Sequence, residues 1–209
     1  MRTWNSPCPK PLEKHMDTSD LDACDRADMG RLIAGHDAAL NDLMERHATR
    51  VFHFLCRMLG NEDDANDLAQ ETFVRVFRSS KSFRTNEKFS TWLYTIAANL
   101  ARNHFRWRAR HPNISFESET EKSGQTLGSV LPANDLPPNE RALAAERAEM
   151  VRKAVRNLPE DLREAIVLCE WEECSVAKAA EILEATPKAV ESRLYRGRQL
   201  LREQLKSWL

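Results

Sequence analysis

The sequence lacks any long apolar run, since the longest uninterrupted one is the five residues 165–169. A membrane-spanning helix needs about 20 predominantly apolar residues, and the N-terminus has no apolar stretch of secretion-signal length. We therefore expect a cytoplasmic protein with no membrane insertion. Glycine and proline are scarce, with 6 and 9 residues, which excludes a collagen-like or low-complexity chain.

Cysteine and histidine do not form the motifs of a catalytic or metal centre. The five cysteines are an odd number in a chain without an export signal, which argues against a disulfide framework. Cys169 and Cys174 have no neighbouring histidine or second cysteine pair to complete a zinc site. The sequence contains no HExxH motif and no GxxxxGK[ST] phosphate loop. We expect no catalytic residue, no metal and no cofactor, and hence a protein that is not an enzyme.

Charge is balanced in total but segregated along the chain, which carries 31 Lys and Arg against 32 Asp and Glu. Residues 62–71 contain five acidic residues and no Lys or Arg, whereas residues 99–111 contain four Arg and no acid. Residues 158–185 are again acidic, and residues 186–209 are basic. Such alternation predicts more than one partner, with phosphate as a target of the two basic blocks.

Apolar periodicity predicts helices through residues 26–110 and again through residues 139–209, and no segment alternates with the period of a strand. Residues 1–25 contain three scattered prolines and predict a flexible leader, within which Met16 is an alternative translation start. Residues 111–138, rich in Pro, Ser and Gly, predict a flexible linker. The expected fold is all-α, with two small helical domains joined by that linker.

Local signals place several helix ends. Gly60 is expected to end one helix, and Ser90 is expected to be the N-cap of the helix that runs to about residue 110. Ser175 is expected to cap a short helix, after a helix over about residues 159–173. Thr186 followed by Pro187 predicts the N-cap and first turn of the last helix.

The C-terminal elements form the pattern of a helix-turn-helix, in which the second helix enters the major groove of DNA. The outward positions expected on that helix are Lys188, Glu191, Ser192, Tyr195 and Arg196. The alternative is an ordinary basic amphipathic helix whose charges are only solvated.

Two further stripes are candidates for binding. The basic stripe, with aromatic residues interleaved, could neutralise phosphate while the rings stack on bases; it comprises Asn99, Arg102, Asn103 and Arg106. Its alternative is a solvated face whose aromatics lie in the core.

The acidic stripe cannot bind DNA, and is either solvated or docks a basic protein; it comprises Asp64, Asp67, Gln70 and Glu71. On that same helix, Phe73, Val76 and Phe77 are expected to be buried.

Three segments together resemble the sigma-70 family. Residues 64–78, DANDLAQETFVRVFR, are similar to its region 2.2, and residues 89–110, FSTWLYTIAANLARNHFRWRAR, are similar to regions 2.3 and 2.4. Residues 158–205 resemble region 4.2. Only these two domains and a short linker are recognised, and that layout resembles the extracytoplasmic-function, or group IV, sigma factors. The domains expected are region 2 over residues 26–110 and region 4 over residues 139–209.

This resemblance implies a transcription initiation factor that directs core RNA polymerase to promoters under the control of an anti-sigma factor. The acidic stripe would dock on the clamp helices of the beta prime subunit, and region 4 would contact the beta flap. The −10 element would be opened and bound as a single strand by Phe83, Trp92, Asn99, Arg102, Asn103 and Arg106. The −35 duplex would be bound by Lys188, Glu191, Ser192, Tyr195 and Arg196.

Two residues depart from the family pattern. Glu184 stands where glycine is common and would need a left-handed backbone. Glu191 is acidic where a basic or polar residue is usual. Because a carboxylate can accept a hydrogen bond from the amino group at cytosine N4, this difference affects which −35 sequence is expected.

Two alternatives to this function remain open. One is an operator-binding regulator that does not need polymerase, and the other is a sigma mimic that sequesters an anti-sigma factor.

Overall fold

The computed structural model describes residues 18–84, 86–111 and 138–206, and every regular element within these ranges is helical. An N-terminal bundle consists of α1 (Thr18–Ile33), α2 (Ala39–Leu59), α3 (Glu62–Arg78) and α4 (Phe89–Arg110), with a 3₁₀ turn at Ser80–Ser82. A C-terminal unit consists of α5 (Pro138–Arg156), α6 (Glu160–Ile166), α7 (Val176–Ile182) and α8 (Pro187–Leu205), with a π-helical turn at Val167–Trp171 between α6 and α7. The all-α fold is confirmed.

The core of the N-terminal bundle forms where the apolar faces of α2, α3 and α4 meet. Fully buried side chains on α2 and α4 fill it, among them Phe54, Leu55 and Leu93. The rings of Phe54 and Tyr94 meet edge to face with centroids 5.2 Å apart. Gly60 ends α2 in a left-handed conformation, and its N–H bonds to the Cys56 carbonyl, as expected from the sequence.

Helix α1 is held on α2 by buried charges. Asp25 is only 1% exposed, and its carboxylate lies 2.9 Å from Arg46 Nε and 2.8 Å from His47 Nε2. Asp28 pairs with Arg46 as well. Part of the expected flexible leader is therefore helical and anchored, and the boundary predicted at residue 25 was placed too late. The remainder of that leader, residues 1–17, and residues 112–137 of the expected linker lie outside the described residues.

The start of α4 also differs from expectation. Ser90 lies inside the first turn, since the helix begins at Phe89 and its N-cap position is Lys88. The hydroxyl of Ser90 instead accepts a hydrogen bond of 2.9 Å from Lys178 Nζ in the C-terminal unit.

The helix-turn-helix has the capping that the sequence predicts. The Ser175 and Thr186 hydroxyls accept from backbone N–H groups three residues ahead, and Pro187 opens α8. Glu184 takes the left-handed conformation expected of it, with φ of 51°. The helix predicted over about residues 159–173 is interrupted, because Val167–Trp171 winds as a π-helical turn. Such turns place an extra residue in the helix and are frequent at functional positions.

Helix α8 packs closely on α6 at Gly197. A β-carbon there would lie 2.8 Å from Ile166 Cγ1, a side chain that is itself fully buried. We expect Gly197→Val to destabilise the C-terminal unit by about 1–3 kcal/mol, because overpacking outweighs the better helix propensity. Urea unfolding followed by circular dichroism measures this. Gln199→Val, at an exposed position of the same helix, is the control, and equal stability of both variants would contradict the close packing.

The C-terminal unit packs against the N-terminal bundle rather than standing apart. Helix α7 lies on α4, while α5 and the π-helical turn lie on α2. Arg163 of α6 donates to the Met58 carbonyl at the end of α2, and its guanidinium lies 5.4 Å from the Phe105 ring centroid. The contact is thus made of both apolar and charged groups.

Candidate functional site

The outward face of α8 is open to solvent. Tyr195 is 65% exposed, and its hydroxyl accepts from Gln199 Nε2 at 2.8 Å. The other four residues predicted on this face are also exposed, namely Lys188, Glu191, Ser192 and Arg196. A helix that presents a tyrosine, an acid and two cations side by side can contact both base edges and phosphates.

Neighbouring cations on α8 are occupied within the C-terminal unit. Arg198 binds the Glu170 carboxylate with its Nη2 at 2.6 Å, and Arg193 lies 3.8 Å from Asp161. Arg196 makes no ion pair with any described residue, and its Nε contacts only the Ser192 carbonyl at 3.4 Å. Lys188 and Arg196, the two cations on the predicted recognition face, are therefore available to bind an external anion.

The basic stripe on α4 is divided between solvent and the interior. Asn103 and Arg106 are exposed and hydrogen-bonded to each other at 3.4 Å, whereas Asn99 is half-buried. Arg102 instead faces the C-terminal unit and binds Glu164 of α6, with 2.9 Å between Nε and Oε1. No local pattern in the sequence predicts this pairing, because its partners are 62 residues apart.

The aromatic residues near this stripe serve different surfaces. Phe83, predicted to contact DNA, is only 6% exposed and packs against Phe89 and Trp92 with ring centroids 6.2 and 5.3 Å away. Trp92 is half-buried and covers that cluster. Trp107 is exposed at the end of α4 and stacks on His111 at 4.9 Å.

The acidic stripe on α3 is only partly available. Asp67 and Gln70 are exposed, while Glu71 is half-buried and pairs with Arg75 at 3.0 Å. Asp64 lies against α4, with its carboxylate 3.4 Å from His104 Nε2 and 3.8 Å from Arg108. Asp64 therefore helps to hold α3 on α4.

Two apolar residues extend the exposed part of this stripe. Val74 and Phe77 are 39% and 43% exposed and continue the spacing of Asp67 and Gln70 along one helix face. The expectation that Phe77 is buried is wrong. Exposed large apolar groups beside charges are typical of a protein-binding surface. In the sequence, the three- and four-residue spacing that links Val74 and Phe77 to Asp67 and Gln70 indicates that all four share one helix face.

Buried thiols and carboxylates complete the electrostatic picture. Burial raises the pKa of Cys56 to about 12 and that of Cys174 to about 11, so both thiols are protonated near neutral pH. Burial likewise raises the pKa of Glu164 and that of Glu172.

In the part of the chain that the structure describes, no three His, Cys, Asp or Glu side chains are grouped as metal ligands would be, and no helix has the length and apolarity to span a bilayer.

Two family models match the chain in the order seen in the structure. The model for Sigma-70 region 2 matches residues 43–111, which cover most of α2 through α4. The model for Sigma-70, region 4 matches residues 148–201, which cover the end of α5 through most of α8.

Curated relatives align over most of the chain. It is 34% identical over 173 residues to the ECF RNA polymerase sigma factor SigW of Bacillus subtilis, covering 82% of this chain and 91% of that protein. It is 33% identical over 175 residues to the ECF RNA polymerase sigma-E factor of Escherichia coli, covering 82% of this chain and 88% of that protein.

Solved structures share the fold. CnrH, in complex with the cytosolic domain of CnrY, superposes with a TM-score of 0.65 at 25% identity, covering 89% of this chain and 99% of that one. RpoE of Bartonella quintana, in complex with the anti-sigma factor NepR, superposes with a TM-score of 0.60 at 24% identity, covering 81% of this chain and 98% of that one.

Proposed function

The chain belongs to the extracytoplasmic-function sigma factors of the sigma-70 family, and from that premise we propose which of its surfaces bind polymerase, promoter DNA and an inhibitor. It acts as an RNA polymerase sigma factor. The polymerase carries out the chemistry in the cytoplasm, and this chain directs where it begins. The observation that carries the assignment is the coexistence, on one chain, of the exposed α3 face and the exposed recognition face of α8.

The exposed face of α3 is the proposed contact with the beta prime clamp helices. Asp67 and Gln70 supply charge and hydrogen bonds, and Val74 and Phe77 supply apolar area beside them. Interfaces derive most of their binding energy from a few such central residues. Glu71 belongs to the contact as well, whereas Asp64 supports it from within the bundle through His104 and Arg108. The C-terminal unit makes the second polymerase contact, with the beta flap.

The −10 element is proposed to bind α4 and the loop before it. Asn99, Asn103 and Arg106 would contact the single strand directly, and Trp92 would stack on a base. Because Phe83 is buried under Trp92, its proposed part is to hold that ring and the loop in place. Arg102 would join the contact once it leaves Glu164.

The −35 element is proposed to bind the exposed face of α8 as duplex DNA. Lys188 and Arg196 lie one on each side of Glu191, so the acid is flanked by cations that can hold phosphates. Glu191 would accept a hydrogen bond from a cytosine amino group. Arg198, which is paired with Glu170, lies further along α8 and would face the phosphate backbone rather than a base edge.

An anti-sigma factor is the proposed inhibitor. The similar structure of CnrH contains the cytosolic domain of a second protein, CnrY. The exposed apolar pair on α3, Val74 and Phe77, is a surface that an inhibitory protein could cover in competition with polymerase.

Run-off transcription tests the function as a whole. The template is the DNA upstream of the gene for this chain, and the reaction contains purified core polymerase with or without the chain. We expect initiation at one defined start only when both are present. Tight binding of duplex DNA without core, and no initiation with it, would instead favour an operator-binding regulator.

Arg196→Ala tests the −35 assignment. We expect promoter affinity of the polymerase–sigma complex to fall by about 1–3 kcal/mol if the guanidinium contacts a base edge. Arg202→Ala, an exposed cation two turns later on α8, is the matched control and should cost less. Fluorescence anisotropy with the promoter and with scrambled duplexes measures both. An equal loss on every sequence would make Arg196 a phosphate contact.

A further inference from the structure

The exposed face of α8 contains a hydrogen bond between two side chains that both reach solvent. Gln199 Nε2 donates to the Tyr195 hydroxyl oxygen at 2.8 Å, and Tyr195 is 65% exposed. Residues four positions apart in a helix lie on the same face, one turn above the other. A hydroxyl that accepts from an amide keeps its own hydrogen for another partner. The Tyr195 hydrogen therefore points away from Gln199 and is available to a group outside the chain.

The hydroxyl one turn earlier on the same face is oriented in the opposite sense. Ser192 Oγ donates to the Lys188 carbonyl at 2.9 Å. Because a carbonyl oxygen can only accept, the Ser192 hydrogen is used within the helix and the oxygen offers lone pairs to an outside group. Glu191 beside it is exposed and, when ionised, accepts only. Two acceptors are thus followed, about one helical turn later, by a donor.

This order has a meaning in the major groove of DNA. Guanine N7 and O6, adenine N7 and thymine O4 accept hydrogen bonds there, whereas the amino groups at cytosine N4 and adenine N6 donate. One helical turn rises about 5.4 Å and successive base pairs are about 3.4 Å apart, so the acceptors and the donor meet different base pairs. A hydroxyl that rotates freely can satisfy either kind of base edge, but a hydroxyl held in one orientation distinguishes them.

We propose that Gln199 is a positioning residue for −35 recognition, because its amide holds the Tyr195 hydroxyl as a donor. Tyr195 then favours guanine, adenine or thymine over cytosine at the position that it contacts. Glu191 and Ser192 favour an amino-bearing base, cytosine or adenine, at theirs. Gln199 acts through Tyr195 and does not itself contact a base. The inference rests on the proposed function, because that function places duplex DNA against α8.

The test compares base preferences on one duplex library, the DNA upstream of the gene with its −35 segment randomised. Complexes of core polymerase with each full-length variant select from the library, and sequencing of the bound fraction gives the base frequencies at each position. Gln199→Glu replaces the amide by a carboxylate that accepts the Tyr195 hydrogen, whereas Gln199→Lys keeps a donor at this place. Gln204→Glu, the same substitution at an exposed position in the last turn of α8, is the matched control.

Tyr195→Phe first identifies the contacted position, as the one where its base frequencies become even. There the parent chain should disfavour cytosine roughly three- to tenfold, the effect of one hydrogen bond. We expect Gln199→Glu to reverse this preference, and Gln199→Lys and Gln204→Glu to retain it. Combined with Tyr195→Phe, Gln199→Glu should no longer alter the base frequencies. A merely structural role of Gln199 would instead lower binding of all sequences equally. Far-UV circular dichroism confirms that each variant is folded.

Four results would overturn the inference. Equal base frequencies for the parent and Gln199→Glu remove the role of Gln199, and a reversal in Gln204→Glu as well assigns the effect to charge. Cytosine favoured by the parent at the contacted position contradicts the donor orientation. A Tyr195→Phe variant that matches the parent at every position means that the hydroxyl contacts no base. In all four, the −35 assignment of α8 still stands. A parent chain without any preference in the −35 segment removes that assignment together with the inference.

Discussion

Replacing Asp67 and Glu71 by arginine is expected to weaken binding of core polymerase by about 2–4 kcal/mol, a loss of roughly 30- to 1,000-fold. Both carboxylates lie on the outer side of α3, beside the exposed Val74 and Phe77. Reversal of two charges places cations against a surface that is proposed to be basic. Neither residue is buried, and among the described residues the variant loses one ion pair, the half-exposed one between Glu71 and Arg75, so stability should change little.

The matched control reverses two exposed acids on another face of the bundle, Asp37 and Glu45. It changes net charge by the same amount and should keep most of the affinity. Competition for core polymerase against the parent chain measures both variants, and circular dichroism monitors folding. Unchanged affinity of the α3 variant, or an equal loss in both variants, would contradict the docking assignment.

Truncating Phe54 to alanine is expected to destabilise the N-terminal bundle by about 3–5 kcal/mol. The side chain is fully buried in the middle of α2, and its ring meets that of Tyr94 edge to face. Removal loses apolar transfer energy and leaves a cavity beside the same tyrosine that binds Glu172. The C-terminal contact should therefore weaken together with the core.

Urea unfolding followed by circular dichroism measures this loss, with Leu143→Ala as the control because Leu143 is 52% exposed on α5. The control should change the free energy of unfolding by less than about 0.5 kcal/mol. A loss below about 1 kcal/mol for Phe54→Ala would mean that the bundle is not packed around this ring.

Local chemistry accounts for the features that could be predicted from the sequence. The Thr186 cap, the following Pro187 and the Ser175 cap each depend on residues within four positions of one another. The left-handed Glu184 follows from the short turn between two helices of a helix-turn-helix. Periodicity within a single helix likewise predicted that the recognition face of α8 is exposed, and the structure confirms this exposure.

The expectations that differed from the structure depended on distant partners. Ser90 is a favourable capping residue, yet its hydroxyl serves Lys178, which is 88 residues away. Arg102 has the sequence context of a solvated or DNA-binding cation, and its pairing with Glu164 arises only when α6 meets α4. Phe77 fits the apolar period of α3, but it lies at the edge of that face and is 43% exposed, because no helix in the described part of the chain covers it.

Arg163 acts on the ends of two helices at once. Its Nη1 donates to the Met58 carbonyl in the last turn of α2. Its Nη2 donates to the carbonyl of Arg156, the last residue of α5, and to that of Leu158 two residues beyond. Carbonyls in a last turn lack partners within their helix and carry the negative end of its dipole, so one cation neutralises two dipoles. Any arrangement that moves α6 away from α2 removes this cation from Met58, and the C-terminal turn of α2 would then fray more readily than the turns before it.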